Sequence, residues 1–155
     1  MPARPPARSA AQRKVDTLEK LHQEVDCWVA SASASGEAYL IPLSFVWDGT
    51  RITLATPRNS RTTRNLERAA WARLALGQTR DVVIVEGSVT VVTCDAIDPD
   101  LAKAFAKATG FDPRQLPAEP EYVYLCVAPR RIQAWREANE LAGRDLMSDG
   151  VWRTS

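Results

Sequence analysis

Histidine is all but missing from this 155-residue chain, which carries His22 alone. Its place in a polar helical stretch gives it a solvated surface role, and no histidine is left for a metal cluster or a conventional triad on the strands. Cysteine is scarce too: Cys27, Cys94 and Cys126 stand apart, without CxxC or Cys/His spacing, each among apolar residues of a strand-like run. They read as buried thiols of a reducing compartment. No apolar run approaches the ~20 residues of a membrane helix, and the N-terminus has no apolar signal-peptide stretch, so a cytoplasmic chain without a membrane partner is expected. Neither a GxxxxGKS/T nor a GxGxxG motif occurs, and no internal repeat shows. Charge of one sign is also lacking. With 20 basic and 19 acidic residues the formal net charge is +1, so no global field gathers nucleic acid.

What is present fits one globular domain, with 45% hydrophobic residues. The opening MPARPPARSAAQ has almost nothing to bury and reads as a disordered tail over residues 1–12, which leaves a single domain over 13–155. Val15, Leu18, Leu21 and Val25 recur at helical spacing, predicting an amphipathic helix from Arg13 to Val25. Three strands follow, Cys27 to Ala34, Ala38 to Trp47 and Arg51 to Thr56, the last two joined as a hairpin by Asp48-Gly49. Pro42 marks an edge or a bulge in the second strand. A short helix from Thr62 to Ala70, capped by Ser60, precedes the strands WARLALGQ and DVVIVEGSVTVVTCD, with Gly87 as a bend point. IDPDLAKAFAKATGF is a helix capped by Asp98 and stopped at Gly110. EYVYLCVAPRRIQAWRE reads as a strand broken at Pro129, and the remainder has mixed polar character. About six strands with peripheral helices amount to a mainly β fold, a small barrel.

Positive charge is concentrated in one place. TPRNSRTTRNLER, Thr56 to Arg68, holds four arginines in thirteen residues. On the predicted helix Arg61, Arg64 and Arg68 share one face that begins at the helix N-terminus, beside free backbone amides and the Ser60 hydroxyl, which together suit a phosphate. Spacing alone also fits a solvated basic face balanced in part by Glu67. Basic residues at a helix start oppose its dipole, however, and a broken local rule often serves function. Elsewhere Glu37 and Glu86 read as solvated carboxylates, Tyr122 and Tyr124 as packing residues, and the five tryptophans as core and interface bulk.

The succession AYLIPLSFVWDGTRITLAT, PRNSRTTRNLERAAWARLAL, DVVIVEGSVTVV and PRRIQAWRE resembles the split β-barrel flavin and deazaflavin proteins, which include pyridoxamine 5'-phosphate oxidase, over about Cys27 to Glu137. That resemblance implies a split β-barrel of the FMN-binding type. It implies that Ser60, Arg61 and Thr62, with Arg58 and Asn65 nearby, bind a cofactor phosphate. Pro42, Leu43 and Ser44 would then pass alongside the ring, and Thr56 would meet the ring edge or the ribityl chain. Such proteins are commonly homodimers with cofactor sites at the interface, so Trp135 could approach the ring from the partner subunit. TTRNLERAAWARLAL resembles the arginine-asparagine-leucine helix start of the deazaflavin branch, in which Arg64 and Arg68 would face a longer anionic tail. The substrate-binding Arg/His pattern of authentic pyridoxamine 5'-phosphate oxidases is absent near the C-terminus.

The function this implies is a cofactor-dependent oxidoreductase, using FMN or the deazaflavin coenzyme of the F-420 type for hydride transfer to or from a small-molecule substrate, with the catalytic residues and the substrate undefined and no metal expected. A non-catalytic module that holds a flavin or a haem for sensing is the alternative. A barrel for single-stranded nucleic acid, with Trp47 and Trp71 as the aromatics near the basic cluster, ranks last.

Overall fold

Asp48 and Gly49 turn the chain between strands β2 (Ala38–Trp47) and β3 (Ile52–Pro57). The Asp48 carboxylate accepts from the amides of Thr50 (2.9 Å) and Arg51 (2.6 Å), and Gly49 takes a φ of 100°, which a side chain disfavours. The computed structural model describes residues 2–154; Met1 of the expected tail and Ser155 of the expected domain lie outside them. From this hairpin the sheet continues through β1 (Asp26–Ala32), β4 (Trp71–Leu76), β5 (Val82–Thr93) and β6 (Tyr122–Trp135), each antiparallel to its neighbour, until β6 pairs with β3. A closed six-stranded barrel results, and the split β-barrel is the observed fold. Val29, Phe45, Leu54, Leu74, Val85 and Leu125 fill it, every one of them fully buried.

Three helices flank the barrel: α1 (Ala10–Gln23), α2 (Arg61–Ala69) and α3 (Pro99–Thr109). Leu21 and Leu66 add to the barrel core, whereas α3 builds a second apolar layer in which Ala102 and Phe105 meet Ala55 and Tyr124. Asp98 caps α3 by accepting from the Leu101 amide, Pro99 opens it and Gly110 ends it at φ 74°.

Several boundaries differ from expectation. Helix α1 begins at Ala10, capped by Ser9, so the border between tail and domain moves toward the N-terminus. Arg8 is held there by Glu140 (2.7 Å) and Asp16 (2.8 Å). The buried stripe of α1 is Arg13, Thr17 and Leu21, while Val15 is exposed, because the Arg13 guanidinium is captured by the carbonyls of Glu140 and Ala142 at the barrel's end. Strand β6 runs unbroken through Pro129. That residue lies where β6 has left β3 and not yet met β7, opposite a bulge at Gly87, so its missing N–H interrupts no ladder. The close approach there requires glycine: a Cβ on Gly87 would sit 2.0 Å from the Ala128 carbonyl oxygen. The C-terminal stretch of mixed polarity forms a small hairpin, β7 (Asp145–Ser148) and β8 (Val151–Trp152), turned by Asp149-Gly150. Glu86 is buried and paired with Arg73 rather than solvated.

One interruption positions everything that follows. The β2–β3 ladder runs from Trp47 opposite Ile52 to Phe45 opposite Leu54 and stops. Phe45 N–H donates to Val25 C=O, so odd-numbered residues of β2 turn their backbone groups to β1 and even-numbered ones away. Arg58 N–H donates to Glu121 C=O, which turns the odd-numbered residues of β3 toward β2. Continued in register, Ser44 would face Ala55 and Pro42 would face Pro57, both as hydrogen-bonded pairs. Neither proline has an N–H to give, so the second pair cannot form. The strands part instead, β2 staying with β1 to Ala38 and β3 with β6 to Pro57.

Candidate functional site at the break between β2 and β3

Into this break open two clefts. The larger, ≈ 430 Å³, is walled by Pro42, Leu43 and Ser44 of β2 and Thr56 of β3, under Phe105 and Phe111. Ser44 and Ala55, the residues next after the last ladder pair, both line this cleft. Ser44 Oγ donates to Asp26 (2.6 Å), which fixes the hydroxyl at the cleft's rim. Tyr122 also lines this cleft and is held edge-on to Phe111, with ring centroids 5.6 Å apart. The smaller cleft, ≈ 260 Å³, lies at the start of β2 and is lined by Glu37, Tyr39, Arg61, Arg64 and Asn65 among others. There the Arg61 guanidinium stands over the Tyr39 ring, 5.7 Å from its centroid.

Ser60 caps α2: its Oγ accepts from the Thr63 amide (3.1 Å) and pairs with the Thr63 hydroxyl, whose proton can instead reach the Pro57 carbonyl. The amides of Arg61 and Thr62, first in the helix, have no intrahelical acceptor. Thr62 is fully buried and its hydroxyl has no partner among the described residues. No carboxylate among the described residues comes within ion-pair distance of Arg58, Arg61, Arg64 or Arg68, so Glu67 does not balance them. Arg64 reaches only the Asn59 carbonyl (3.2 Å), and Arg68 turns aside to the Ala32 carbonyl. Asn65 donates to Ser31 (3.1 Å), tying α2 to β1.

Of the residues singled out from the sequence, Pro42, Leu43, Ser44 and Thr56 converge on one cleft and Arg61, Arg64 and Asn65 on the other, with Ser60 and Thr62 at the adjoining helix start. Arg58 is exposed and lines neither. Trp135 sits opposite Val82 beneath Arg144 and lines neither cleft of its own chain. Asp26, Tyr39, Phe105 and Phe111 are walls that sequence reasoning did not place at the site. The apolar face of α3 was visible, but not the strands it covers.

The profile of the pyridoxamine 5'-phosphate oxidase family matches residues 15–136. The chain belongs to that family. No curated protein matches it. Among solved structures it is similar to an F420 reductase, with 16% identity over 74% of this chain and 93% of the other and a TM-score of 0.59. It is also similar to a pyridoxamine 5'-phosphate oxidase-related, FMN binding protein from Nostoc punctiforme, with 14% identity over 88% and 84% of the chains and a TM-score of 0.52. A third is HupZ of Group A Streptococcus, with 16% identity over 79% and 94% and a TM-score of 0.61. At these identities the likeness is one of fold.

The other features of this pyridoxamine 5'-phosphate oxidase family member leave little side-chain chemistry elsewhere. Burial pushes the Cys27 thiol up to about 12, which keeps it protonated, and Tyr124 is likewise raised to about 12. Trp47, read as an aromatic beside the basic cluster, is buried in the core. Among the described residues no group of three His, Cys, Asp or Glu is placed to hold a metal ion, and no helix is long and apolar enough to cross a membrane.

Proposed function

We propose that the chain binds a flavin-type cofactor along the break between β2 and β3 and works as an oxidoreductase. The observation that carries this reading is the pairing of an interrupted ladder with two arginines at the next helix start that have no carboxylate partner among the described residues. The donor set fits the group: Arg61 and Arg64 with the amides of Arg61 and Thr62 suit a phosphate, and a strand edge with free backbone groups suits the polar rim of a planar ring. Such a ring, when bound, supplies the hydride transfer. The chain's own residues bind and shield. Leu43, Phe105 and Phe111 exclude water from one cleft, while Ser44 and Asp26 hold a hydrogen-bonded rim.

FMN is the first candidate, because the two arginines at the helix start suit one phosphate. The deazaflavin coenzyme is the second, and the similarity to an F420 reductase supports keeping it. Arg68 is committed to Ala32, which leaves Arg64 to meet a longer anionic tail. We further propose a homodimer in which Trp135 of a second copy completes the ring site, since Trp135 reaches neither cleft of its own chain. The substrate is a small molecule.

The test is an absorbance and fluorescence titration of the purified chain with FMN and, separately, with the deazaflavin coenzyme. Saturable binding of one at micromolar concentration or below is expected, followed by faster re-oxidation of the reduced ring by an acceptor on the protein than in solution. Binding of neither overturns the reading. Binding without faster re-oxidation makes the chain a carrier or sensor.

A further inference from the structure

Asp26 and Pro42 belong to two cavities at once. On the side of β1 away from the larger cleft, a further groove of ≈ 400 Å³ is lined by Glu24, Asp26, Trp28, Pro42, Gly77 and Gln78 among others. It shares the Asp26 and Pro42 walls with the cleft assigned above to the ring. A molecule seated in it therefore lies next to whatever occupies that cleft.

The chemistry of this groove is the opposite of that at α2. Its lining has two carboxylates, Glu24 and Asp26, and no cationic side chain. Neither carboxylate is in an ion pair among the described residues. Lys20 reaches Gly77 at the groove's edge, but its ammonium is bound to the Asp81 carboxylate (2.9 Å) and carbonyl (2.7 Å). Trp28 supplies the apolar wall: it pairs with Pro42 and Ala75, and half of it is open to solvent. An aromatic ring beside two carboxylates with no cationic partner among the described residues favours a planar ring that carries positive charge, which gains from the ring quadrupole and from both carboxylates together. An anion meets repulsion from both. The site is thus polarised along β2, net basic at Tyr39, where Arg61 and Arg64 outnumber Glu37, and acidic at Ser44 opposite Asp26.

We infer that this groove is the substrate site and that it selects planar aromatic cations, such as amidinium-, ammonium- or pyridinium-bearing rings, over neutral and anionic ones. The inference rests on the cofactor reading above for its role as the substrate site.

The experiment uses three probes of nearly equal shape, benzamidinium, benzamide and benzoate, titrated by calorimetry and amide chemical shifts into the full chain with and without FMN. Benzamidinium is expected to bind at least tenfold more tightly than benzoate, with benzamide between them, and to shift residues 24–28 and 75–78. In the double variant Glu24→Gln/Asp26→Asn the ranking should collapse to within about threefold, while Trp28→Ala should weaken all three probes and benzamidinium the most. Circular dichroism melts of these variants establish that they are folded, and Glu24→Gln alone, at an exposed position, provides the conservative check. Equal binding of the three probes, or a ranking that survives in the double variant, overturns the inference. FMN binding is read from its own absorbance: FMN binding without charge ranking defeats this inference alone, and no FMN binding, with none of the deazaflavin coenzyme, defeats the function proposed above and with it the groove's role as a substrate site.

Discussion

Pro42 and Pro57 occupy the two positions that an uninterrupted β2–β3 ladder would join by a pair of hydrogen bonds, and both line the cleft that opens there. Two missing donors in one pair remove the reason for the strands to stay together. The double variant Pro42→Ala/Pro57→Ala restores both. Its two new amides are expected to show slowed hydrogen exchange, and its affinity for FMN should fall about tenfold. New amides that exchange at the rate of an open chain would show that the prolines do not keep the strands apart.

Arg61 and Arg64 have no carboxylate partner among the described residues, so removing them should cost the fold little. Arg61→Ala/Arg64→Ala is expected to melt within a few degrees of the parent chain and to bind FMN at least about tenfold more weakly. Unchanged affinity in the same titration would remove the phosphate cradle from the account.

Gly87 lies against the bulged stretch of β6, where a Cβ would also come within 2.9 Å of Pro129 Cα. All three nearest atoms are β6 backbone, so no flexible side-chain end is there to yield. Gly87→Ala should therefore destabilise the chain by about 3 kcal/mol or more in denaturant melts, unlike most single substitutions to alanine. A loss under about 1 kcal/mol would mean that the barrel can open at the bulge without consequence.

Glu140 is almost fully buried, and hydrogen bonds from the Arg8 guanidinium, reinforced by the amides of Arg8 and Arg136, hold its carboxyl down at about 2. A depressed folded-state value stabilises the fold above the unfolded value near 4.5, and that contribution disappears as pH falls toward 2. On the order of 2–3 kcal/mol should be lost across that window. Denaturant melts of Glu140→Gln should show lower stability at pH 7 and a shallower fall between about pH 4.5 and 2 than the parent. A parent chain with flat stability through that window would rule the carboxylate out as an anchor of Arg8.

Much of this could be read from the sequence because local chemistry sets it. Asp48-Gly49 makes its hairpin in any context that allows two strands, Ser60 and Asp98 cap the helices they precede, and Gly87 marks the place where the ladder bends. The second Asp-Gly pair, at 149–150, carries the same signal for the β7–β8 hairpin, whose strands of four and two residues are too short to show a period of two. The arginine cluster was visible as composition. Whether Glu67 neutralised it depended on side-chain directions that spacing does not fix.

Tertiary structure alone decided the rest. A proline in β2 predicts an edge and the hairpin register sets it against Pro57, but only the barrel's closure gives the parting strands other partners to stay with, β1 for β2 and β6 for β3. Phe105 was an apolar helix residue until α3 packed over the break, and Asp26 was one carboxylate among many until β1 placed it between two cavities. Capping and turns act over three or four residues and are written in the sequence. The meeting of residues far apart in the chain depends on which strands close the barrel, and no local pattern encodes it.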